Sequence, residues 1–173
     1  KESSAASDVY KRQVTDGDKV EAQIRFGWEV DAYPVNEIAQ AVEDVKEGEV
    51  NALVDEYYDK YDILLEGRDP EEFKRHVAVQ ARMEIGFERF LEEKNYQAIV
   101  THFGDLGSLK QLPGLAIQRL MEKGYGFGAE GDWKTAAMLR IMKIMTEGMK
   151  DAKGTSFMED YTYNLVPGKE GIL

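Results

Sequence analysis

Cysteine is absent from the 173 residues, which excludes disulfides, thiolate metal ligands and thiol nucleophiles together. Histidine is nearly absent, with only His76 and His102, so any metal must be held by oxygen or imidazole. No apolar run approaches the roughly 20 residues a membrane span needs, and no charged-then-apolar leader opens the chain. Cytoplasmic residence with no membrane partner is the expectation. Positive charge is also short: 22 Lys and Arg stand against 33 Asp and Glu, a formal net charge of −11. Phosphate backbones are neutralised by clustered Lys and Arg, so nucleic acid is excluded as a partner. The chain is 43% hydrophobic and 32% charged, ordinary for one soluble globular domain plus a remnant.

The two ends read differently from the middle. SSAASDVYKRQ, residues 3–13, is one reading frame of a transposon-based sequencing adaptor, codon for codon. Residues 1–13 are therefore set apart from fold reasoning as a disordered adaptor translation. The closing PGKEGIL stops in an apolar run without a final helix, and the expectation is a fragment at both ends. The expected division is 1–13 adaptor, 14–152 a central α/β domain, and 153–173 the opening of a truncated C-terminal domain.

Between those ends the periodicity alternates. DKVEAQIRFGWEVDAYPV mixes a short helical possibility with the strand-like alternation of Trp28, Val30 and Ala32, which Pro34 ends. VNEIAQAVEDV spaces Ile38, Ala41, Val42 and Val45 as a helix, with Asn36 as N-cap and Gly48 beyond its end. EVNALVDEYYDKYDIL is a second helix whose Tyr57, Tyr58 and Tyr61 read as core packing. Asp69-Pro70 caps the longest helix, along which Phe73, Val77, Ala81 and Ile85 recur, followed by Phe87, Phe90 and Leu91. YQAIVTHF reads as a strand buried on both faces. PGLAIQRLMEKG is a helix, YGFGAEGD a strand and loop, WKTAAMLRIMKIMTEG a helix with methionines as core filler, and TSFMEDYTYNL a further strand. From Tyr96 on, the order predicts an open parallel sheet with flanking helices.

GFGAEG, residues 126–131, fits the dinucleotide fingerprint G-x-G-x-x-G. The strand before it is short, and Glu130 would set a carboxylate against two phosphates, a repulsion on the order of several kcal/mol at an effective dielectric near 20. The pattern therefore excludes a pyrophosphate loop. A carboxylate at a strand end on the carboxyl edge of a parallel sheet suits a hard cation instead. A right-handed crossover through the next helix would bring the strand of SFMEDYTY alongside, so that Glu130 and Glu159 share one ion. Two carboxylates suit Mg²⁺ or Mn²⁺ and can divide proton transfer. Asp132 and Asp160 read as a helix cap and a strand-end residue.

THFGDLGSLKQLPGLAIQRLMEKGYGFGAEGDWKTAAMLR and GTSFMEDYTY closely resemble the bacterial L-arabinose isomerases, and the resemblance runs from Val14 to Leu173. It implies the central-domain fold of the arabinose/fucose isomerase type and a cytoplasmic homohexamer. The implied enzyme interconverts L-arabinose and L-ribulose through an enediol, with one Mn²⁺ per subunit. Residue by residue, Glu130 and Glu159 match the family's two glutamates, which ligate the metal and move the proton. Phe103 matches an aromatic lining the sugar pocket. The family's two histidine ligands fall past Leu173, so neither is present, and His76 and His102 do not substitute for them. His102 reads as structural or solvent-facing at the pocket rim, and His76 as surface. With half the ligands missing, the fragment itself is expected to be inactive. The alternative from another class is a non-catalytic α/β sugar-binding module.

Overall fold

The computed structural model describes residues 17–102, 104 and 106–150, with the backbone of 163–164 and 171–172. Helix α1 (Lys19–Phe26) is capped by the Asp18 carboxylate, which accepts from the Glu21 amide, and ends at Gly27 with a left-handed φ of 71°. Helices α2 (Val35–Glu43) and α3 (Glu47–Lys60) follow. Pro34, rather than Asn36, stands at the N-cap of α2, and Gly48 lies inside α3 instead of closing α2. Pro34 fixes its own φ and so begins the helix without a side-chain cap.

Helix α4 (Pro70–Glu93) is the spine, 24 residues or about 36 Å long. Its start is the one predicted: Asp69 accepts from the Glu72 amide at 2.8 Å, and Pro70 occupies the first turn. It separates two apolar clusters. Met83, Phe87 and Leu91 pack with Val42, Ile117, Leu120, Phe127 and Leu139. Ala81 joins Val45, Val50, Val54 and Tyr57 on the other side. Tyr57 is buried as expected of core packing, whereas Tyr58 is exposed.

Polar groups are built into that spine. Gln80 donates to the Leu112 carbonyl at 2.8 Å and accepts from the amides of Leu115 at 3.1 Å and Ala116 at 3.3 Å. It thereby caps helix α5 (Gly114–Glu122), whose own N-cap, Pro113, offers no side-chain acceptor. Glu84 is wholly buried and takes Arg119 at 3.2 Å, Lys123 at 2.9 Å and the Tyr57 hydroxyl. Burial and the hydrogen bond to Glu84 hold the Tyr57 phenol protonated well above its usual range. Arg119, itself buried, lies over the Tyr57 ring and continues to Glu56.

Strands β1 (Ala98–Thr101) and β2 (Gly126–Ala129) pair in parallel, from Ala98 opposite Gly126 to Thr101 opposite Ala129. Helix α5 connects them, and helix α6 (Trp133–Thr146) follows β2. Phe127 points into the cluster around α4 and α5, while Gly126 and Gly128 face α6. A Cβ on Gly126 would collide with the Ala136 carbonyl oxygen, and one on Gly128 with that of Asp132.

Several expectations are corrected. β1 is half-buried along its whole length, not buried on both faces. Trp28, Val30 and Ala32 form no strand, and among the described residues none lies beside them to pair with. Met138, Met142 and Met145 are exposed along α6, with Met149 just beyond it, so they do not fill the core. Of the strand expected beside β2, only β3 (Tyr163–Asn164) is described; it pairs antiparallel with β4 (Gly171–Ile172) in a separate two-stranded sheet. No helix among the described residues is long and apolar enough to cross a membrane.

Two glycines give opposite expectations. Gly→Ala inside a helix ordinarily gains about 0.5–1 kcal/mol. Gly48→Ala, with open space around it, should follow that rule. Gly86→Ala should instead lose about 1–3 kcal/mol in denaturant titration, because its Cβ would stand 2.6 Å from the Val42 Cα. Glu84→Ala should lose about 3 kcal/mol in the same measurement, since it removes the buried acceptor shared by Arg119, Lys123 and the Tyr57 hydroxyl and leaves Arg119 only its more exposed partners Glu56 and Glu122.

Candidate functional site at the carboxyl edge of the sheet

The site is set by how β2 stops. Ala129 ends the strand, and Glu130 and Gly131 take left-handed φ of 53° and 89°. The Asp132 amide then returns to the Ala129 carbonyl at 2.9 Å. Asp132 starts α6 as the expected cap, its carboxylate accepting from the Thr135 amide at 3.0 Å and from the Thr135 hydroxyl at 2.6 Å. Gly131 adopts its φ at no steric cost, but a side chain at Glu130 costs about 1–2 kcal/mol in that region. The Glu130 carboxylate is exposed at the carboxyl edge, where open α/β sheets bind ligands.

The neighbouring strand brings His102 to the same edge, one residue past Thr101 as Glu130 is one past Ala129. His102 is half-buried, and its Nδ1 accepts the Gly104 amide at 3.0 Å, which places the ring proton on Nε2. The imidazole thus has a local structural role at the rim, as expected. His76 is exposed on α4, with Nε2 3.8 Å from Glu72, far along the chain from this edge.

Phe103 and Glu159 lie outside the described residues. Among the described residues no three His, Asp or Glu side chains gather as a metal cluster. What is described is one solvent-facing carboxylate beside a glycine with open space around it.

Beside the edge opens a cleft of about 900 Å³, lined among others by Trp28, Tyr33, Tyr96, Thr101, His102 and Trp133. At its far end Tyr96 donates to Asp31, and the hydroxyls of Tyr33 and Tyr96 are 2.9 Å apart. The bond to Asp31, then that to Tyr33, keep the Tyr96 phenol protonated above its ordinary range. Sequence reasoning did not single out Asp31, Tyr33, Tyr96, Trp133 or Arg140. Their only local signal was the aromatic content of WEVDAYP and of the helix start after Asp132.

A family model described as the L-arabinose isomerase central domain matches residues 6–148. The chain is 55% identical over 160 residues to the L-arabinose isomerase of Geobacillus stearothermophilus, covering 92% of this chain and 32% of that protein. It is 54% identical to that of Geobacillus thermodenitrificans over the same share of each. It is 51% identical to that of Salmonella arizonae, again over 92% of this chain and 32% of the relative. The chain therefore spans about a third of the length of the curated relatives it matches. With a βα edge of the expected form and a family match over most of its length, the chain belongs to the L-arabinose isomerase family, as a segment of the central domain.

Proposed function

We propose that the full-length protein interconverts L-arabinose and L-ribulose, and that Glu130 and Glu159 carry the proton transfer. The observation that supports this reading is the left-handed Glu130 at the carboxyl edge of the parallel pair. Glu66 and Asn95 also take left-handed φ, so it is the place of Glu130 at the carboxyl edge together with its φ that supports a chemical role. Family membership supports the substrate, since the matched relatives bear the name L-arabinose isomerase.

In this reading Glu130 and Glu159 share a divalent cation, with Mn²⁺ the ion implied by resemblance and oxygen donors of the right hardness for it. When bound, that ion supplies Lewis-acid polarisation of the sugar oxygens at C1 and C2. One carboxylate would take the proton from C2 of the aldose and return it to C1, and the other would give a proton to O1 and take one from O2, so that the intermediate is an enediol. Phe103 provides an apolar wall for the sugar. Homohexamer assembly and cytoplasmic residence are proposed with the activity. The 173-residue chain on its own lacks the two histidine ligands the family uses, and we propose that it is inactive.

In the full-length protein, Glu130→Gln should lower kcat for L-ribulose formation about 10²–10⁴-fold with Mn²⁺ present, against a parent that turns over. An unchanged rate would remove Glu130 from the mechanism. In the 173-residue chain, Glu130→Gly should raise the thermal midpoint by the equivalent of about 1 kcal/mol, because it relieves the left-handed strain.

A further inference from the structure

We infer that Trp28 is a positioning residue for the reaction: it holds Glu130 in register through Trp133, and rests on the catalytic reading of Glu130 given above. Trp28 belongs to a stretch, from Gly27 to Pro34, that has no regular secondary structure. Rings pin that stretch at two points. Near one end Tyr33 meets Phe90 and Tyr96 edge to face, with ring centroids 5.3 Å and 5.9 Å apart, and Tyr96 donates to Asp31. Tyr96 stands two residues before β1, at the amino end of the parallel pair. Near the other end Trp28 meets Trp133 edge to face, centroids 6.5 Å apart and planes at 82°. Trp133 is the first residue of α6, just past the carboxyl edge. From Trp28 to Tyr33 the chain can reach about 16 Å, enough to pass along the four paired residues of the strands. The stretch is a strap whose far anchor lies at the candidate site.

The route from that anchor to Glu130 is short. Trp133 is 8% exposed, and its amide donates to the Gly131 carbonyl at 2.9 Å. The Asp132 amide returns to the Ala129 carbonyl, also at 2.9 Å. Between these two bonds lie Glu130 and Gly131 with their left-handed φ. A glutamate does not hold such a φ by its own preference, so the turn keeps its shape only while the start of α6 is fixed.

Two contacts fix it. On the sheet side the carbonyls of Asp132 and Ala136 stand against Gly128 and Gly126. From the strap, the Trp28 ring bears on the first residue of the helix, and Phe26 backs Trp28 in a stacked pair with centroids 4.6 Å apart. An edge-to-face pair is directional, whereas an aliphatic contact of equal bulk lets the two surfaces slide. Proton transfer tolerates little sliding, since a displacement of about 1 Å at the reacting groups can cost about 10²-fold.

The test is made in the full-length protein. Trp28→Leu should lower kcat for L-ribulose formation about tenfold while KM moves less than about twofold, the split expected when alignment is lost and binding is kept. Trp28→Met removes the ring in the same way and gives the same reading should the leucine variant not fold. Trp28→Phe, which keeps a ring, should return kcat to within about threefold of the parent. Val50→Ala, in the cluster on the other side of α4, controls for lost stability and should leave kcat unchanged when assayed well below its melting temperature. Added to Glu130→Gln, Trp28→Leu should take nothing further from the residual rate, because it acts through a carboxylate already removed. A kcat equal to the parent's in the ringless variants would overturn the inference. So would the same fall in Val50→Ala, or a full additional loss in the double variant. Full turnover by Glu130→Gln alone would instead strike the catalytic reading, so the two failures are told apart.

Discussion

The constraint on which the rest of this structure leans is a contact between two backbones. Helix α6 lies so close to β2 that the carbonyls of Asp132 and Ala136 occupy the space where side chains at Gly128 and Gly126 would stand. That approach fixes where α6 begins, and the beginning of α6 fixes the turn that holds Glu130. The same letters that suggest a phosphate cradle therefore serve another end. Two glycines of the G-x-G-x-x-G pattern are spent on helix–strand packing, and the third, Gly131, relaxes a left-handed turn.

A second constraint lies on the other side of the molecule. Glu84, Arg119 and Lys123 bind α4 to α5 through charges that are mostly withdrawn from water, and Tyr57 ties α3 into the same network. Such a network adds little net stability over an apolar substitute, but it admits few alternative registers. Gln80 works the same way, as a cap lent by one helix to the next. Together they hold the α4–α5 pair on which Phe127, and so β2, is seated.

Much of the fold was legible where the determining signal is local. Asp69-Pro70 announces α4, Asp132 announces α6, and the apolar run after Tyr96 announces β1, because caps and short-range periodicity act within a few residues. Gln80 and Glu84 could not be read as buried, since their partners stand some 35 positions away. Periodicity placed Phe73, Val77, Ala81, Ile85, Phe87, Phe90 and Leu91 on the core face; Ala81, Phe87, Phe90 and Leu91 are buried and Val77 and Ile85 partly so, while Met83 is buried as well because α4 packs on both sides. Of the candidate site, the edge position of Glu130 was legible from strand, glycine and cap. Its strained φ was not, because only the completed α6 contact imposes it. Phe103 and Glu159 rest on family resemblance alone.

The methionines of α6 carry a consequence of their own. Met138, Met142, Met145 and Met149 follow one another at spacings of four, three and four residues, and all stand open to solvent. Each thioether is within reach of peroxide, and conversion to sulfoxide exchanges a pliable apolar group for a polar, chiral one. Met138, Met142 and Met145 share one face of α6, so there those changes accumulate on one surface without touching the packed interior. Oxidation at these positions would therefore change the character of the exposed face of α6 before it disturbed the packed interior.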